Sequence, residues 1–280
     1  PLAVRDAARL ARFVPGDVAL GPAAAVTPQR QGAPREVRAR APERGAGRLG
    51  EAVAGAARIE AHLIDVIIPV YKGLLQTRRC IDSVLRSAQA TPFAIVAVDD
   101  ASPDPEISRH LRELAEQGRI TLLRNESNRG FVHSVNRGMA LHPERDVVLL
   151  NSDTEVANDW LDRLQRCACR QADVGTVTPF SNNATICSYP FEGWTGGVPG
   201  VLGLAALDRL FAKVNAGRTV DLPTAVGFCM YIRRACLDRV GLFDASRFGR
   251  GYGEENDFCM RAASAGWRNV LAGDVFVYHE

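Results

Sequence analysis

The sequence predicts an α/β fold with a mainly parallel, doubly wound central sheet flanked by helices, and with a smaller region beside it. Between residues 64 and 153, short apolar runs rich in β-branched residues alternate with segments of helical periodicity. The connections are short, as in βαβ units with right-handed crossovers. Three of the runs end in polar side chains, which is typical of the carboxyl edge of such a sheet, where ligands bind.

The first half of this region alternates regularly between strands and helices. Strands are expected at 64–70 (IDVIIPV), 93–102 (FAIVAVDDAS), 120–126 (ITLLRNE) and 146–153 (DVVLLNSD). Helices are expected at 74–88, 105–117 and 130–141. In the first helix the apolar face consists of Leu75, Ile81, Val84 and Leu85. The regular alternation is the main reason for expecting parallel strands with helical crossovers.

The second half is less regular, and its elements are expected from local patterns. We expect an amphipathic helix at 158–171, a short strand at 175–180, a loop rich in Gly, Pro and Asn at 181–202, a strand running into a helix at 226–241, a helix at 255–266 that stops at Gly266, and a closing strand within NVLAGDVFVYHE (269–280). No internal repeat is visible in the sequence.

Composition divides the chain into an arm and one globular domain. Residues 1–60 contain ten Arg, no Lys and six acidic residues, which gives them a net charge of +4. Since the whole chain has a net charge of +2, residues 61–280 carry −2. The stretch 14–50 is rich in Pro, Gly, Ala and Arg and has little to bury, which indicates a linker or extended arm, with a helix near 48–61. An arm that contacts acidic lipid or a partner is the alternative interpretation. The small net charge argues against a nucleic-acid partner.

The cysteines and the hydrophobic runs indicate a cytoplasmic protein. The seven Cys are odd in number and scattered, and most lie among apolar residues, so we expect reduced core thiols. No apolar run reaches the length of a membrane span, and the first residues lack the apolar core of a signal peptide. Because the chain starts without Met, we expect a segment of a longer protein.

Candidate binding residues lie at the carboxyl ends of three of the predicted strands. They are Pro69, Val70 and Tyr71 at the end of the first strand, the acids Asp99 and Asp100 at the end of the second, and the polar residues Asn151, Ser152 and Asp153 at the end of the fourth. A turn or helix cap is the alternative for the last group. Carboxylates gathered at one sheet edge repel each other unless a cation or a hydrogen-bonding ligand lies between them. The set therefore favours a ligand site.

A bound diphosphate would need a cation at this edge. GxxxxGK[ST] does not occur in the sequence, and GxGxxG occurs only as GAGRLG (45–50), in the arm and not after a predicted strand, so no phosphate-binding loop is expected at this sheet edge. Mg²⁺ or Mn²⁺ prefers oxygen ligands, and phosphate oxygens can complete its shell. Asp153 suits the role of metal ligand.

Two further features lie near the end of the chain. Glu254, Glu255 and Asp257 follow a glycine-rich turn and open a predicted helix. Acidic side chains at a helix start can be there simply because they interact favourably with the positive end of the helix dipole. Three of them within four residues exceed what capping requires, however, and one is a candidate general base. His279 follows the last strand. A lone His is usually structural, and metal binding is the alternative.

Taken in order, the motifs VIIPVYKG, VDDASPD, NRGFVHSVNRGM, LLNSDTEV, GFCMYIRR, GYGEENDF and VYHE resemble those of an inverting family 2 glycosyltransferase with a GT-A fold. The resemblance covers residues 64–280. It is strongest to bacterial enzymes that build surface polysaccharides, some of which handle rhamnose, and PFSNNATICSYP (179–190) adds to it. Each motif alone is weak evidence, whereas the ordered set is specific.

The resemblance implies a role for each matching residue. Tyr71 with Pro69 and Val70 would pack on the nucleotide base, Asp99 would accept a hydrogen bond from a base N–H, and Asn128, Gly130 and Asn136 would line the base and ribose. Asn151, Ser152 and Asp153 occupy the position of the DXD motif. Asp153 would bind metal and diphosphate, His279 matches a second metal ligand, Glu255 matches the catalytic base with Glu254 and Asp257 in support, and 227–230 lie at the acceptor pocket.

Two residues depart from the family pattern. Asn151 starts the DXD position and, being neutral, is a poorer metal ligand, although it can still reach the ribose or a bridging water. Glu255 stands where Asp is common, so its carboxylate reaches one methylene further.

The resemblance implies a divalent-metal-dependent transfer of a sugar, with inversion. The donor would be a UDP-, dTDP- or GDP-linked sugar, a rhamnose donor among them, and the acceptor a hydroxyl of a glycan or lipid-linked glycan, in polysaccharide biosynthesis. The expected location is cytoplasmic, with peripheral association at the inner face of the membrane, or further domains in a longer chain, as the alternatives. A nucleotidyltransferase is the alternative enzyme, although PVYKGLLQTRR lacks the Gly-rich loop of that class. An inactive nucleotide-sugar-binding module is the other alternative.

Overall fold

The computed structural model describes residues 63–197 and 203–280. The arm expected at 1–60, including the helix expected near 48–61, lies outside these described residues. Among the described residues, no helix combines the length and the apolar character that crossing a membrane requires.

The described elements, in chain order, are as follows. The strands are β1 (Ile64–Val70), β2 (Phe93–Asp99), β3 (Thr121–Arg124), β4 (Val147–Leu150), β5 (Thr154–Glu155), β6 (Val174–Ser181), β7 (Thr219–Leu222), β8 (Cys229–Ile232) and β9 (Arg268–His279). The helices are α1 (Leu74–Arg86), α2 (Pro105–Glu116), α3 (Phe131–Met139), α4 (Trp160–Cys169), α5 (Leu204–Val214), α6 (Arg234–Val240), α7 (Ala245–Phe248) and α8 (Glu254–Ser264), and a 3₁₀ turn spans Thr185–Cys187.

One mixed sheet organises these elements. The order within the described residues is β3-β2-β1-β4-β8-β6-β9-β5, and β7 also pairs with β9. The pairs β1–β2, β1–β4, β2–β3 and β6–β9 are parallel, whereas β8 is antiparallel to both of its neighbours. Among the described strands, β1, β2, β3, β4, β6 and β9 run in one direction, and only β5, β7 and β8 run in the opposite direction. The predicted α/β fold with a mainly parallel sheet is therefore confirmed.

The core lies on both faces of the sheet. Alternate residues of a strand point to opposite faces, and in β1 the residues Ile64, Val66 and Ile68 belong to one apolar cluster while Ile67 belongs to the other. Helix α3 packs closely on the Ile67 face, because a Cβ on its Gly138 would lie 2.6 Å from Ile67 Cγ2. This close packing places the amino end of α3 beside the carboxyl end of β1.

Local signals explain where several elements begin. Asp104 caps α2 by accepting a hydrogen bond from the Glu106 N–H, and Pro105 occupies the first turn, where it costs no backbone hydrogen bond. Helix α5 and strand β7 were not expected from the sequence. Strand β7 has only four residues and pairs with β9 from a distance of about fifty residues along the chain, so local pattern carries little of its signal.

All seven cysteines are free, and six of them are buried, as expected for core thiols. Burial raises the pKa of the Cys80 and Cys187 thiols to about 12. Cys169 is the exception, since it is exposed at the end of α4.

Candidate active site

A cavity of about 410 Å³ opens at the carboxyl ends of β1, β2 and β4. We call it the donor cavity. Eight of the ten residues expected to bind the nucleotide sugar line it: Pro69, Val70, Tyr71, Asn128, Gly130, Asn151, Ser152 and Asp153. Its lining also includes Lys72, Asp100, Phe131, Ser134 and Arg250. The sheet thus brings together segments that are far apart in sequence, as expected of a binding site at this edge.

The structure does not bring Asp99 to the donor cavity, and we correct that expectation. Asp99 is fully buried, and its carboxylate accepts hydrogen bonds from the Ser102 N–H (2.8 Å) and the Ser108 hydroxyl (2.6 Å). The next residue, Asp100, lines the cavity instead. Side chains of successive residues along a strand point to opposite faces, so of two adjacent acids one, Asp99, is buried and the other, Asp100, lies at the cavity.

Asp100 organises the loop that leads into α3. Its carboxylate accepts hydrogen bonds from the Asn125 amide (2.7 Å) and from the backbone N–H groups of Arg129 and Gly130 (both 2.8 Å). Three donors on one carboxylate fix the loop that carries Asn128 and Gly130 at the cavity wall. Asp100 therefore acts through the loop, which it holds in place.

Asn136 also lies outside the donor cavity, contrary to expectation. Its amide donates to the Phe243 carbonyl (2.8 Å) and accepts from the Phe243 N–H (3.1 Å). Asn136 thus pairs with both the N–H and the carbonyl of Phe243, and these two hydrogen bonds connect α3 to the segment between α6 and α7. The role of Asn136 in the structure is to join these two elements.

Asp153 and His279 form a pair at the edge of the donor cavity. β5 and the end of β9 are antiparallel neighbours, which brings His279 Nε2 to 3.4 Å from Asp153 Oδ1 and 3.4 Å from Asn151 Nδ2. His279 Nδ1 lies 2.6 Å from the Asn183 carbonyl, which can only accept, so Nδ1 carries the proton and Nε2 faces Asp153. The ring also stacks on Phe228, with centroids 5.2 Å apart.

This pair fits a cation that is shared with a substrate. A metal-binding His commonly donates its other ring N–H to a backbone carbonyl, as His279 does. Within the described residues no cluster of three or more His, Cys, Asp or Glu side chains could hold a metal, so the protein would supply two ligands and phosphate or water oxygens the rest. Burial lowers the pKa of His279, but the Asp153 and Asn183 hydrogen bonds outweigh it, and its pKa is raised overall.

A second cavity of about 390 Å³ adjoins the first. We call it the acceptor-side cavity. It shares Phe131, Asn151 and Arg250 with the donor cavity, and its remaining lining includes Asn183, Ala184, Thr185, Val226, Gly227, Phe228, Gly251, Tyr252, Glu254, Glu255 and His279. Tyr252 is almost fully exposed there. The expected acceptor segment 227–230 thus contributes Gly227 and Phe228 to this cavity.

Glu254 and Glu255 bring two carboxylates to the acceptor-side cavity. The Oε2 atom of each is buried and has no hydrogen-bond partner among the residues that the structure describes. Burial raises the pKa of Glu254 above its ordinary value, and the neighbouring Glu255 adds to the rise, against backbone hydrogen bonds that lower it. Unpaired buried oxygens are costly, and they are the groups that a bound hydroxyl would satisfy.

Asp257 does not reach either cavity. Its carboxylate forms ion pairs with Arg261 (2.8 Å) and Arg247 (3.6 Å). The structure therefore shows Asp257 as the ion-pair partner of these two arginines and does not bring it to the candidate site.

The sequence interpretation missed Lys72 and Arg250. Lys72 directly follows Tyr71, and its ammonium lies 5.3 Å from the centre of the Tyr71 ring. Arg250 comes from the loop before α8, a hundred positions after the end of β4 at Leu150. Lys72 could have been proposed as a binding residue from its position directly after β1. No local sequence pattern, in contrast, distinguishes Arg250 from the other arginines.

Comparisons with known proteins agree with this architecture. Residues 65–241 match the sequence model of glycosyl transferase family 2. The chain is 27% identical over 233 residues to the uncharacterised protein y4gI of Sinorhizobium fredii, covering 78% of this chain and 24% of that protein. It is 23% identical over 190 residues to the glycosyltransferase GlyA of Streptococcus pneumoniae serotype 4, covering 67% and 26%. The chain thus spans about a quarter of the length of these curated relatives.

Two solved structures share the fold. GalNAc-T7, solved with UDP, GalNAc and Mn²⁺, superposes with a TM-score of 0.61 at 18% identity, over 79% of this chain and 44% of that one. The mannosyltransferase PcManGT of Pyrobaculum calidifontis, solved with GDP-Man and Mn²⁺, superposes with a TM-score of 0.53 at 20% identity, over 77% and 56%. The fold is GT-A. Since the family model covers more than half of its residues, this chain belongs to glycosyl transferase family 2.

Proposed function

We propose that this glycosyltransferase moves a sugar from a nucleotide-diphosphate donor to a hydroxyl group, with inversion and with the help of a divalent metal. The observation that carries the proposal is the pair of adjoining cavities. One is lined by the residues suited to a nucleotide and a diphosphate, the other contains two carboxylates with unpaired oxygens, and they meet at Phe131, Asn151 and Arg250.

The donor cavity suits a nucleotide sugar in two respects. Tyr71, with Pro69 and Val70, offers an apolar and aromatic wall for a base, and the loop fixed by Asp100 presents Asn128 to the ribose side. Asp153 and His279 would hold Mg²⁺ or Mn²⁺, which supplies the positive charge that a departing diphosphate needs. The two structural relatives carry Mn²⁺ with UDP or GDP-Man, which supports this class of donor.

Glu255 is proposed as the general base. Its buried, unpaired Oε2 can accept the proton of an acceptor hydroxyl in the acceptor-side cavity as that oxygen attacks the anomeric carbon. The attack comes from the side opposite the diphosphate, so the configuration inverts without a covalent intermediate. Glu254, beside it, would bind a second acceptor hydroxyl through its own unpaired Oε2.

The finer assignments belong to the same proposal. We propose a glycan or lipid-linked glycan acceptor in polysaccharide biosynthesis, with rhamnose among the donor sugars, because the motif order resembles such enzymes. We also propose that residues 61–280 form the catalytic domain, and that it works at the cytoplasmic face of the membrane. A nucleotidyltransferase would have no use for a base in a second cavity, which makes it the weaker candidate.

The test is a donor panel on the whole chain. UDP-, dTDP- and GDP-linked sugars, dTDP-rhamnose included, are incubated with Mn²⁺ or Mg²⁺, and free nucleoside diphosphate is measured. We expect release from one nucleotide class, abolished by EDTA, and inverted configuration in the product by NMR. Pyrophosphate release from a nucleoside triphosphate and a sugar phosphate would identify a nucleotidyltransferase. Tight binding without any release would identify an inactive module.

A further inference from the structure

Arg250 occupies the junction of the two cavities. It lines both the donor cavity and the acceptor-side cavity, a property it shares only with Phe131 and Asn151 among the described residues. In the proposed reaction the bond that breaks, between the sugar and the diphosphate, must lie where the cavities meet. A cation at this junction is therefore close to the point at which negative charge develops.

The backbone of Arg250 is held against the start of α3. The Arg250 carbonyl accepts a hydrogen bond from the Phe131 N–H at 3.3 Å. Gly130, at φ +86°, approaches so closely that a Cβ on it would lie 2.7 Å from Arg250 Cα. Because the Gly130 N–H also donates a hydrogen bond to the Asp100 carboxylate (2.8 Å), the position of Arg250 at the cavity wall is tied to the sheet edge.

The Arg250 guanidinium has no ion pair or hydrogen bond within residues 63–197 and 203–280, whereas Arg247 and Arg261 are both paired. Arg247 forms an ion pair with Asp257 at 3.6 Å, and Arg261 contacts the same carboxylate at 2.8 Å. An unpaired guanidinium beside a cavity is available for a ligand anion. It suits phosphate oxygens especially, because its planar fork donates two parallel hydrogen bonds.

The lining of the donor cavity has no net positive charge to offset the negative charge of a bound diphosphate. The formally charged residues of the lining are Lys72, Arg250, Asp100 and Asp153, and their charges sum to zero. Asp100 is already engaged by three hydrogen-bond donors of the loop, and Asp153 faces His279. A diphosphate gains negative charge when the sugar departs, so stabilising it requires positive groups aimed at that place.

We propose that Arg250 binds the diphosphate and stabilises it as the leaving group, an inference that rests on the proposed function. The amino end of α3, which borders the same cavity at Gly130 and Phe131, adds positive partial charge. Lys72 is the competing cation, but it lines the donor cavity alone and lies over the Tyr71 ring, on the side proposed for the base.

Calorimetry on the whole chain tests this assignment. UDP, GDP and dTDP are titrated with Mn²⁺ to find the diphosphate that binds best, and the monophosphate of the same base serves as reference. Arg250→Gln is expected to lower diphosphate affinity about ten- to a hundredfold and monophosphate affinity much less. With the matching sugar donor, kcat for nucleotide release should fall roughly 10²–10³-fold. Arg250→Lys keeps the charge and should recover part of both.

Arg247→Gln is the matched control, because it removes a nearby exposed arginine that lines neither cavity. It should bind both nucleotides as the wild type does. Unchanged diphosphate affinity and kcat in Arg250→Gln would overturn the inference and leave the proposed function intact, as would equal losses for mono- and diphosphate. A loss in Lys72→Gln alone would assign the role to Lys72 instead. If the wild type binds none of the three diphosphates, the proposed function fails.

Discussion

Two neighbouring acids, Asp99 and Asp100, mark the point at which sequence reasoning about single residues stops. The sequence places both at the end of a strand, and either could face a ligand. The register of β2 against β1 and β3 decides that Asp99 turns inward to Ser102 and Ser108, and that Asp100 borders the cavity. Side chains alternate along a strand, so an uncertainty of one residue exchanges the two roles.

The proposed metal pair yields the first prediction. Asp153→Ala should weaken Mn²⁺-dependent binding of the nucleoside diphosphate at least about tenfold, since it removes one of two protein ligands. His279→Ala should do the same, and the double variant should lose little more, because the two residues hold one ion. Calorimetry with and without Mn²⁺ measures this. Glu155→Ala removes a carboxylate two positions away that does not line the donor cavity, and serves as control. Additive losses in the double variant would contradict a shared ion.

Glu254 should make stability depend on pH. Burial raises the pKa of Glu254 in the folded state, so the unfolded state loses this proton at a lower pH than the folded state does. The free energy of unfolding therefore falls as pH rises above the ordinary Glu pKa, and it stops falling once pH has passed the raised pKa. Glu254→Gln removes this penalty. The variant should exceed the wild type in free energy of unfolding at about pH 8 and match it more closely at about pH 4, near the ordinary Glu pKa. Urea unfolding at both pH values measures the difference. A difference that does not grow with pH would contradict the prediction.

At the scale of elements, the regular part of the chain could be predicted and the long-range part could not. The patterns at 64–70, 74–88, 93–102 and 105–117 are strongly periodic, and β1, α1, β2 and α2 lie within them. Helix α5, strand β7 and the placement of antiparallel β8 between β4 and β6 depend on partners far along the chain. Arg250 was missed for the same reason, since only the folded loop before α8 brings it to Gly130.

The contact between the α3 start and the loop before α8 gives a prediction at this scale. Gly130→Ala adds a Cβ at φ +86° that would lie 2.7 Å from Arg250 Cα, so the loop must move. The free energy of unfolding should fall by about 1–3 kcal/mol, and diphosphate affinity should fall with it. Gly118→Ala is the matched control, because Gly118 also has a positive φ (+67°) but meets nothing within 4 Å. Equal effects of the two substitutions on affinity would argue against a coupling through Arg250.

For the whole molecule, the arm and the catalytic domain are expected to be separable. Residues 14–50 have too few apolar side chains to build a core. A chain starting at residue 58 should therefore unfold cooperatively at a melting temperature close to that of the full chain, as measured by calorimetry or circular dichroism. A large drop in melting temperature would mean that the arm packs on the domain, in conflict with the division at residue 60.

The central claim is that a nucleotide sugar binds in one cavity while Glu255, in the adjoining cavity, deprotonates the acceptor. Glu255→Gln tests it most directly, because Gln keeps the size and the hydrogen bonding of the side chain and removes its basicity. We expect sugar transfer to fall roughly 10²–10⁴-fold. Diphosphate affinity should stay within a few-fold of the wild type, and the melting temperature should be no lower. Asp257→Asn, two residues further along α8 and outside both cavities, should cost much less. Transfer at a near wild-type rate by Glu255→Gln would contradict the account.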